Sequence, residues 1–210
     1  KALASGMTPL SAERISRELL KLLAAPDPVP AVQAMAKAGV LHQILPESPG
    51  PTGLASMSAI SPQPELRLSA LLPADSAVVD AALRRLRFPN AVRDRLAEAV
   101  REPLPLDAPD QAIRAAVYRS GAQAARDRLV RAAAQAGVGA GGLGSRLAVI
   151  DGWSAPRLPV GGRDVEALGL PAGPDTGRVL KAFEDSWIAD DFPVDGHEDR
   201  LRAALNAVRG

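Results

Sequence analysis

Arginine supplies most of the side chains in this chain that could engage a partner. Between positions 83 and 131 eleven Arg stand against six acids, whereas residues 180–200 hold seven acids against Lys181 and Arg200. The overall charge of +1 thus conceals one basic stretch and one acidic one, and partners respond to that distribution more than to the sum. Planar guanidinium groups match phosphate geometry, and each phosphate they neutralise releases counterions, so a basic helical face can hold a nucleic-acid backbone. The candidate contacts are Arg84, Arg85, Arg87, Arg93, Arg95, Arg119, Arg126 and Arg128. On a helix whose Leu83 and Leu86 point inward, Arg84 and Arg87 fall one turn apart on another face, with Arg85 beside them. Aromatic platforms for stacking bases are few in this stretch, which favours backbone and shape contact over base stacking. The plain alternative is a set of ordinary solvated helix faces, in a chain that uses Arg where others use Lys.

Catalytic constellations are harder to find. Polymerase-type nucleotidyl transfer needs two carboxylates on a strand to hold magnesium, beside a Gly-Ser turn that grips nucleotide phosphates. No two Asp stand in Asp-x-Asp spacing, and Gly144-Ser145 leads into Arg146 and Leu147 rather than into carboxylates. Residues 139–144 spell G-x-G-x-x-G, but a helical pattern precedes them, whereas a dinucleotide fingerprint must follow a strand. His42 and His197 have no partner at i+3 or i+4 to build a metal-binding face. Cys is absent, so neither a disulfide framework nor a thiolate metal site is possible. No G-x-S-x-G nucleophile elbow occurs. The residues thus suggest neither a catalytic nor a metal site, and no cofactor, within this chain.

The elements that must position the arginines are helices. Apolar residues recur at helical spacing and alternating β-branched runs are nearly absent, which predicts an all-α fold: an irregular multi-helix array followed by a smaller helical tail. Ser11 is placed to cap a first helix carrying Ile15, Leu19, Leu22 and Leu23 on one face, ended by Pro26, Pro28 and Pro30. A short helix with Val32 and Met35 inward follows, closed by a left-handed Gly39. Residues 46–64, rich in Pro, Gly and Ser, read as a loop with at most a short turn of helix. Helices are expected over 65–72, 75–86, from an Asn90 N-cap to about Val100, over 110–118 and over 122–136. The glycines of 137–144 suggest a hinge before a tail whose longest helix buries Leu180, Phe183 and Trp187. The expected divisions are 1–60, 61–136 and 145–210. No apolar run approaches the roughly 20 residues that span a bilayer, and no signal-peptide pattern opens the chain, so the expected location is cytoplasmic. Lys1, rather than a start methionine, stands in the middle of an Ala-rich pattern, which suggests a chain cut from something longer.

Ser11, Glu13, Arg14, Ile15, Glu18 and Leu19 stand in the spacing S-x-E-R-I-x-x-E-L, followed by Leu22-Leu23, by residues 35–41 and by Ile44-Leu45-Pro46-Glu47. This stretch resembles the segment just after the catalytic head in bacterial tRNA nucleotidyltransferases and poly(A) polymerases. The resemblance continues more loosely through residues 66–72 and 83–90, then through Gly162-Arg163-Asp164-Val165, Gly173-Pro174, Trp187-Ile188 and Asp191-Phe192. It implies a parent that adds CCA or A residues to RNA 3′ ends with ATP or CTP and magnesium, on a head preceding Lys1. This chain would then be the RNA-binding part that positions tRNA or another RNA. Within that family the motif shapes the neck, so it implies a structural role for Ser11, Glu13, Arg14, Ile15, Glu18 and Leu19. Glu13, Arg14 and Glu18 would be buried or half-buried polar scaffold, with Ile15 and Leu19 in the core. Glu198-Asp199-Arg200-Leu201-Arg202 matches the family's nucleobase-selecting E-D-x-x-R by letter but lies at the far end, and the role is not transferred. Some relatives carry a hydrolase L-L-H-D; here the comparable place reads Leu71-Leu72-Pro73-Ala74-Asp75, and that activity is not expected. The competing possibility is a helical protein-interaction or scaffold module that binds no nucleic acid. Oligomeric state and the choice among CCA, CC and A are not legible.

Overall fold

The computed structural model describes residues 11–102 and 104–209. Among these residues the chain is all-α: α1 (Ala12–Leu23), α2 (Val29–Lys37), α3 (Val40–Ile44), α4 (Leu54–Ile60), α5 (Pro64–Ser69), α6 (Ser76–Arg85), α7 (Asn90–Ala99), α8 (Asp110–Ser120), α9 (Ala122–Gln135), α10 (Gly144–Asp151), α11 (Gly162–Ala167), α12 (Pro174–Ala189) and α13 (His197–Arg209). None of these helices is long and apolar enough to cross a membrane.

Local chemistry sets several of the boundaries. The Ser11 hydroxyl accepts from the Arg14 amide at 3.3 Å and so caps α1. The Asp75 carboxylate accepts from the Ala77 and Val78 amides at 2.9 and 3.0 Å, so the aspartate of the Leu71 to Asp75 stretch is a helix cap. Gly39 turns the chain from α2 into α3 with φ 75°, a conformation that penalises a Cβ. Asn90, expected as an N-cap, is instead the first residue of α7, and Pro89 takes the capping position. Proline at that place presets the backbone entry, and the Asn90 amide oxygen accepts from Arg93 at 2.7 Å.

Three cores result, and they cross the divisions expected from composition. The first joins Leu19 and Leu23 of α1 to Val32, Leu54, Leu68, Leu83 and Leu96, and so straddles position 60. The second runs from Met57 and Leu66 through Ile113 and Leu129 to Leu143 and Ile150. The third collects Val165, Val179, Phe183, Trp187 and Leu205 around Ala115 of α8. The expected loop over 46–64 contains the seven-residue α4, which fully buries Leu54 and Met57 between the first two cores. Small and β-turn-forming residues hide this helix in the sequence; two apolar anchors three residues apart suffice once other helices cover them. The glycine-rich stretch likewise packs as a single 3₁₀ turn, Ala140–Leu143, with Leu143 buried, and α10 starts at Gly144. Leu143 anchors the stretch to the second core while its glycines stay exposed.

Two arginines lie inside this framework. Arg67 is 4% exposed and donates to the carbonyls of Leu23 and Ala25, at 2.8 and 2.7 Å, and to that of Ser61 at 2.8 Å. Arg131 is 7% exposed and donates to the carbonyls of Ser69 and Leu72. Each guanidinium thus meets the negative end of a helix, α1 for Arg67 and α5 for Arg131, where free carbonyls need donors.

Candidate functional site

Twelve residues of α1 make one inner face and one outer face. Ser16, Leu19 and Leu23 are buried, with Ile15 and Leu22 packed partly against the first core. At about 100° per residue the opposite side carries Arg14, Arg17, Glu18 and Lys21. Arg14 and Glu18, expected as buried or half-buried scaffold, are exposed, because the helix turns them away from the leucine face. Glu13 alone of the three is a cross-link: it is half-buried and accepts from Arg87 at 2.5 Å, tying α1 to the turn after α6. That hydrogen bond, first among the causes, holds the Glu13 carboxyl below the ordinary carboxylate range. Arg14, Arg17 and Lys21, at i, i+3 and i+7, form no ion pair among the described residues, and all three are exposed. They make a basic stripe along one helix, a spacing visible in the sequence that composition alone passes over.

The eight arginines singled out between positions 84 and 128 do not share one surface. Arg84 pairs with Asp80 at 2.7 Å one turn back. Arg85 grips Glu47 through two contacts, 3.0 and 2.8 Å, and the Ile44 carbonyl at 3.1 Å, closing the α3 end onto α6. Arg93 is largely covered, between Asn90 and Asp80. Arg95 reaches inward to the fully buried Asp127 at 2.7 and 3.2 Å, and also meets Gln63; the Asp127 hydrogen bond raises its pKa above the ordinary arginine value. On α9, Arg126 and Arg128 project about 200° apart. Arg126 pairs with Asp151, whereas Arg128 donates to the Glu102 carbonyl at 2.9 Å.

Arg119 and Arg128 do come together. With Arg101, Gln111 and Ser120 they line an open cleft of about 730 Å³ whose far wall is α12, through Asp185 and Ile188. Arg119 is exposed and forms no ion pair among the described residues. The acidic tail is held beside this cleft by Arg114, which grips Asp191 at 2.8 and 2.5 Å, and by Tyr118, whose hydroxyl donates to Glu184 at 2.8 Å. Burial, then the Glu184 hydrogen bond, pushes the Tyr118 phenol up to about 12. The Glu198-to-Arg202 letters form a pair of exposed side chains one helical turn apart, at 2.5 Å. No cluster of three or more His, Asp or Glu suited to a metal ion occurs among the described residues.

Residues 1–49 match a family model described as "Probable RNA and SrmB- binding site of polymerase A". The match covers the stretch from Ser11 to Leu19 that carries the resemblance to poly(A) polymerases and CCA-adding enzymes, and with it α1, α2 and α3. It agrees with a C-terminal part of such an enzyme. No curated protein matches the chain.

Proposed function

We propose that this chain is the RNA-binding portion of a nucleotidyltransferase of the poly(A) polymerase or CCA-adding kind, holding tRNA or a related RNA so that its 3′ end meets a catalytic head. The observation that carries it is the family match over residues 1–49, which includes a helix whose outer face presents Arg14, Arg17 and Lys21 without an ion pair among the described residues. Arg119 and Arg128, in a cleft against α12 that Glu102 and Asp185 also line, offer a second place where backbone could be held. Such contacts read phosphate spacing and helix shape and are indifferent to base identity. Phosphoryl chemistry with magnesium and ATP or CTP would belong to the head, and a cytoplasmic setting is part of the same proposal.

The direct test is binding of the 210-residue chain to a tRNA transcript across a salt series. Affinity should fall steeply as salt rises, with a log–log slope of about −0.7 to −0.9 per phosphate contacted. An affinity that ignores salt, or no binding at about 50 mM salt, sinks the proposal.

The words of the family description also favour a second possibility, a protein partner on the same segment, since they name SrmB beside RNA. An apolar docking groove has little support: among the described residues the exposed large hydrophobics are Val78 and Val194, on separate elements. A partner recognised through Arg14, Arg17 and Lys21 would have to be acidic, and RNA would compete with it for the same stripe.

A further inference from the structure

Arg87 ends α6 in a left-handed backbone conformation, φ 55°. The Phe88 amide donates back to the Leu83 carbonyl at 2.9 Å and the Arg87 amide to the Arg84 carbonyl at 2.9 Å, the paired bonds of a Schellman-type helix end. Glycine is the usual occupant of that position because any Cβ is penalised there. Here an arginine takes the penalty, with its side chain 68% exposed and its ion-pair partner, Glu13, 44% exposed. A pair so open to solvent adds little stability. It does not account for an arginine where glycine would fold more easily, and strain kept at an exposed cation points to use of that cation.

The surroundings indicate what use. Glu13 lies on α1 one turn before Arg17, which is exposed and forms no ion pair among the described residues. Arg84 stands three residues before Arg87 and is 65% exposed, with Asp80 as its partner. Arg87 therefore sits where α1, which lies inside the matched segment, meets the end of α6, among cations facing solvent. Among the described residues the carboxylate paired with it is that of Glu13, and the Arg87 hydrogen bond holds that carboxyl below the ordinary carboxylate range.

Resting on the RNA-binding proposal above, we infer that Glu13 is an internal stand-in for a phosphate: it holds the Arg87 guanidinium in the free protein and yields it to the RNA backbone on binding, with Arg17 meeting the same stretch of backbone from α1. A carboxylate and a phosphate offer a guanidinium similar pairs of anionic oxygens, so one can replace the other without rebuilding the turn. Competition from Glu13 lowers affinity for a passing phosphate and keeps Arg87 from capturing anions at random.

The experiment uses the full 210-residue chain, a tRNA transcript and a salt titration, with thermal unfolding of each variant alongside. Arg87→Gly should keep or raise Tm, since it relieves the left-handed strain, yet weaken RNA binding about three- to tenfold and flatten the salt slope by about one contact. Arg87→Lys should retain the slope, because the charge remains. Glu13→Gln should bind RNA several-fold more tightly than the unaltered chain. If the unaltered chain binds RNA while Arg87→Gly shows the same affinity and slope, the inference is overturned and the RNA proposal stands. A Glu13→Gln variant that binds no better overturns the stand-in role. If the unaltered chain fails to bind at low salt, the RNA proposal falls and takes this inference with it.

Discussion

On α1 the cations Arg14, Arg17 and Lys21 face solvent and form no ion pair among the described residues, while on α7 and α9 Arg95 and Arg131 turn inward, one to the buried Asp127 and the other to helix-end carbonyls. Only the second of these regions stands out in the sequence as a basic segment, yet its charges are the ones committed inward. In the α6 to α9 region the guanidinium groups are mostly spent on holding helices together. Arg85 ties α6 to Glu47, Arg95 ties α7 to α9, and Arg126 ties α9 to Asp151 at the end of α10. On α1 the charge remains available. Local positive charge in a sequence therefore overstates the charge a polyanion can reach, and the discount depends on where the acids lie in three dimensions.

Removing an inward arginine should have the largest effect. Arg95→Ala leaves the carboxylate of Asp127 buried without its main partner, and should lower stability by about 3–5 kcal/mol, read as a shift of the urea midpoint. Arg95→Ala combined with Asp127→Asn should recover part of that loss; if the single variant is as stable as the original chain, the inward role is wrong. Next in size, replacing Arg14, Arg17 and Lys21 together by Ala should cost roughly tenfold or more in affinity for tRNA, while stability changes by about 0.5 kcal/mol or less per site. A triple variant that unfolds, or that keeps its full salt slope, would erase the contrast between the two regions.

A third measurement extends the comparison to the tail. Tyr118 is the only tyrosine, so an ultraviolet titration follows it alone, and its midpoint should lie at about 12 rather than near 10. Because the folded value is raised, the folded chain keeps the proton longer than the unfolded one. The associated stability is complete below about pH 10 and is lost as pH climbs toward 12. Glu184→Gln should bring the midpoint part of the way back down, leaving the share due to burial. The smallest effect is expected at the exposed Glu198–Arg202 pair, where Arg202→Ala should change stability by about 0.5 kcal/mol or less and leave RNA affinity unmoved.

Much of the helical order could be read from spacing. Val79, Leu83 and Leu86 fall on the inner face where their periodicity puts them, and Ser11 and Gly39 hold the capping and turning places expected of them. What spacing did not disclose has a common physical cause. The α4 helix is held by two buried side chains and by neighbours distant in sequence, so its own residues carry a weak signal. Arg67 and Arg131 look like any other arginine until the carbonyl ends of α1 and α5 arrive beside them.

The same division holds for the candidate interface. Sequence by itself determined the helical class, the basic and acidic segments, the stretch from Ser11 to Leu19 that carries a family resemblance, and the i, i+3, i+7 spacing of Arg14, Arg17 and Lys21. Each depends on residues close together along the chain, where 3.6 residues per turn fixes relative direction. Only the tertiary structure decided which charges are free, because Glu13 meets Arg87 and Arg95 meets Asp127 across separations of 74 and 32 residues. Side chains that far apart are brought within hydrogen-bond reach by packing of the cores, and no local pattern encodes which acid an arginine will find.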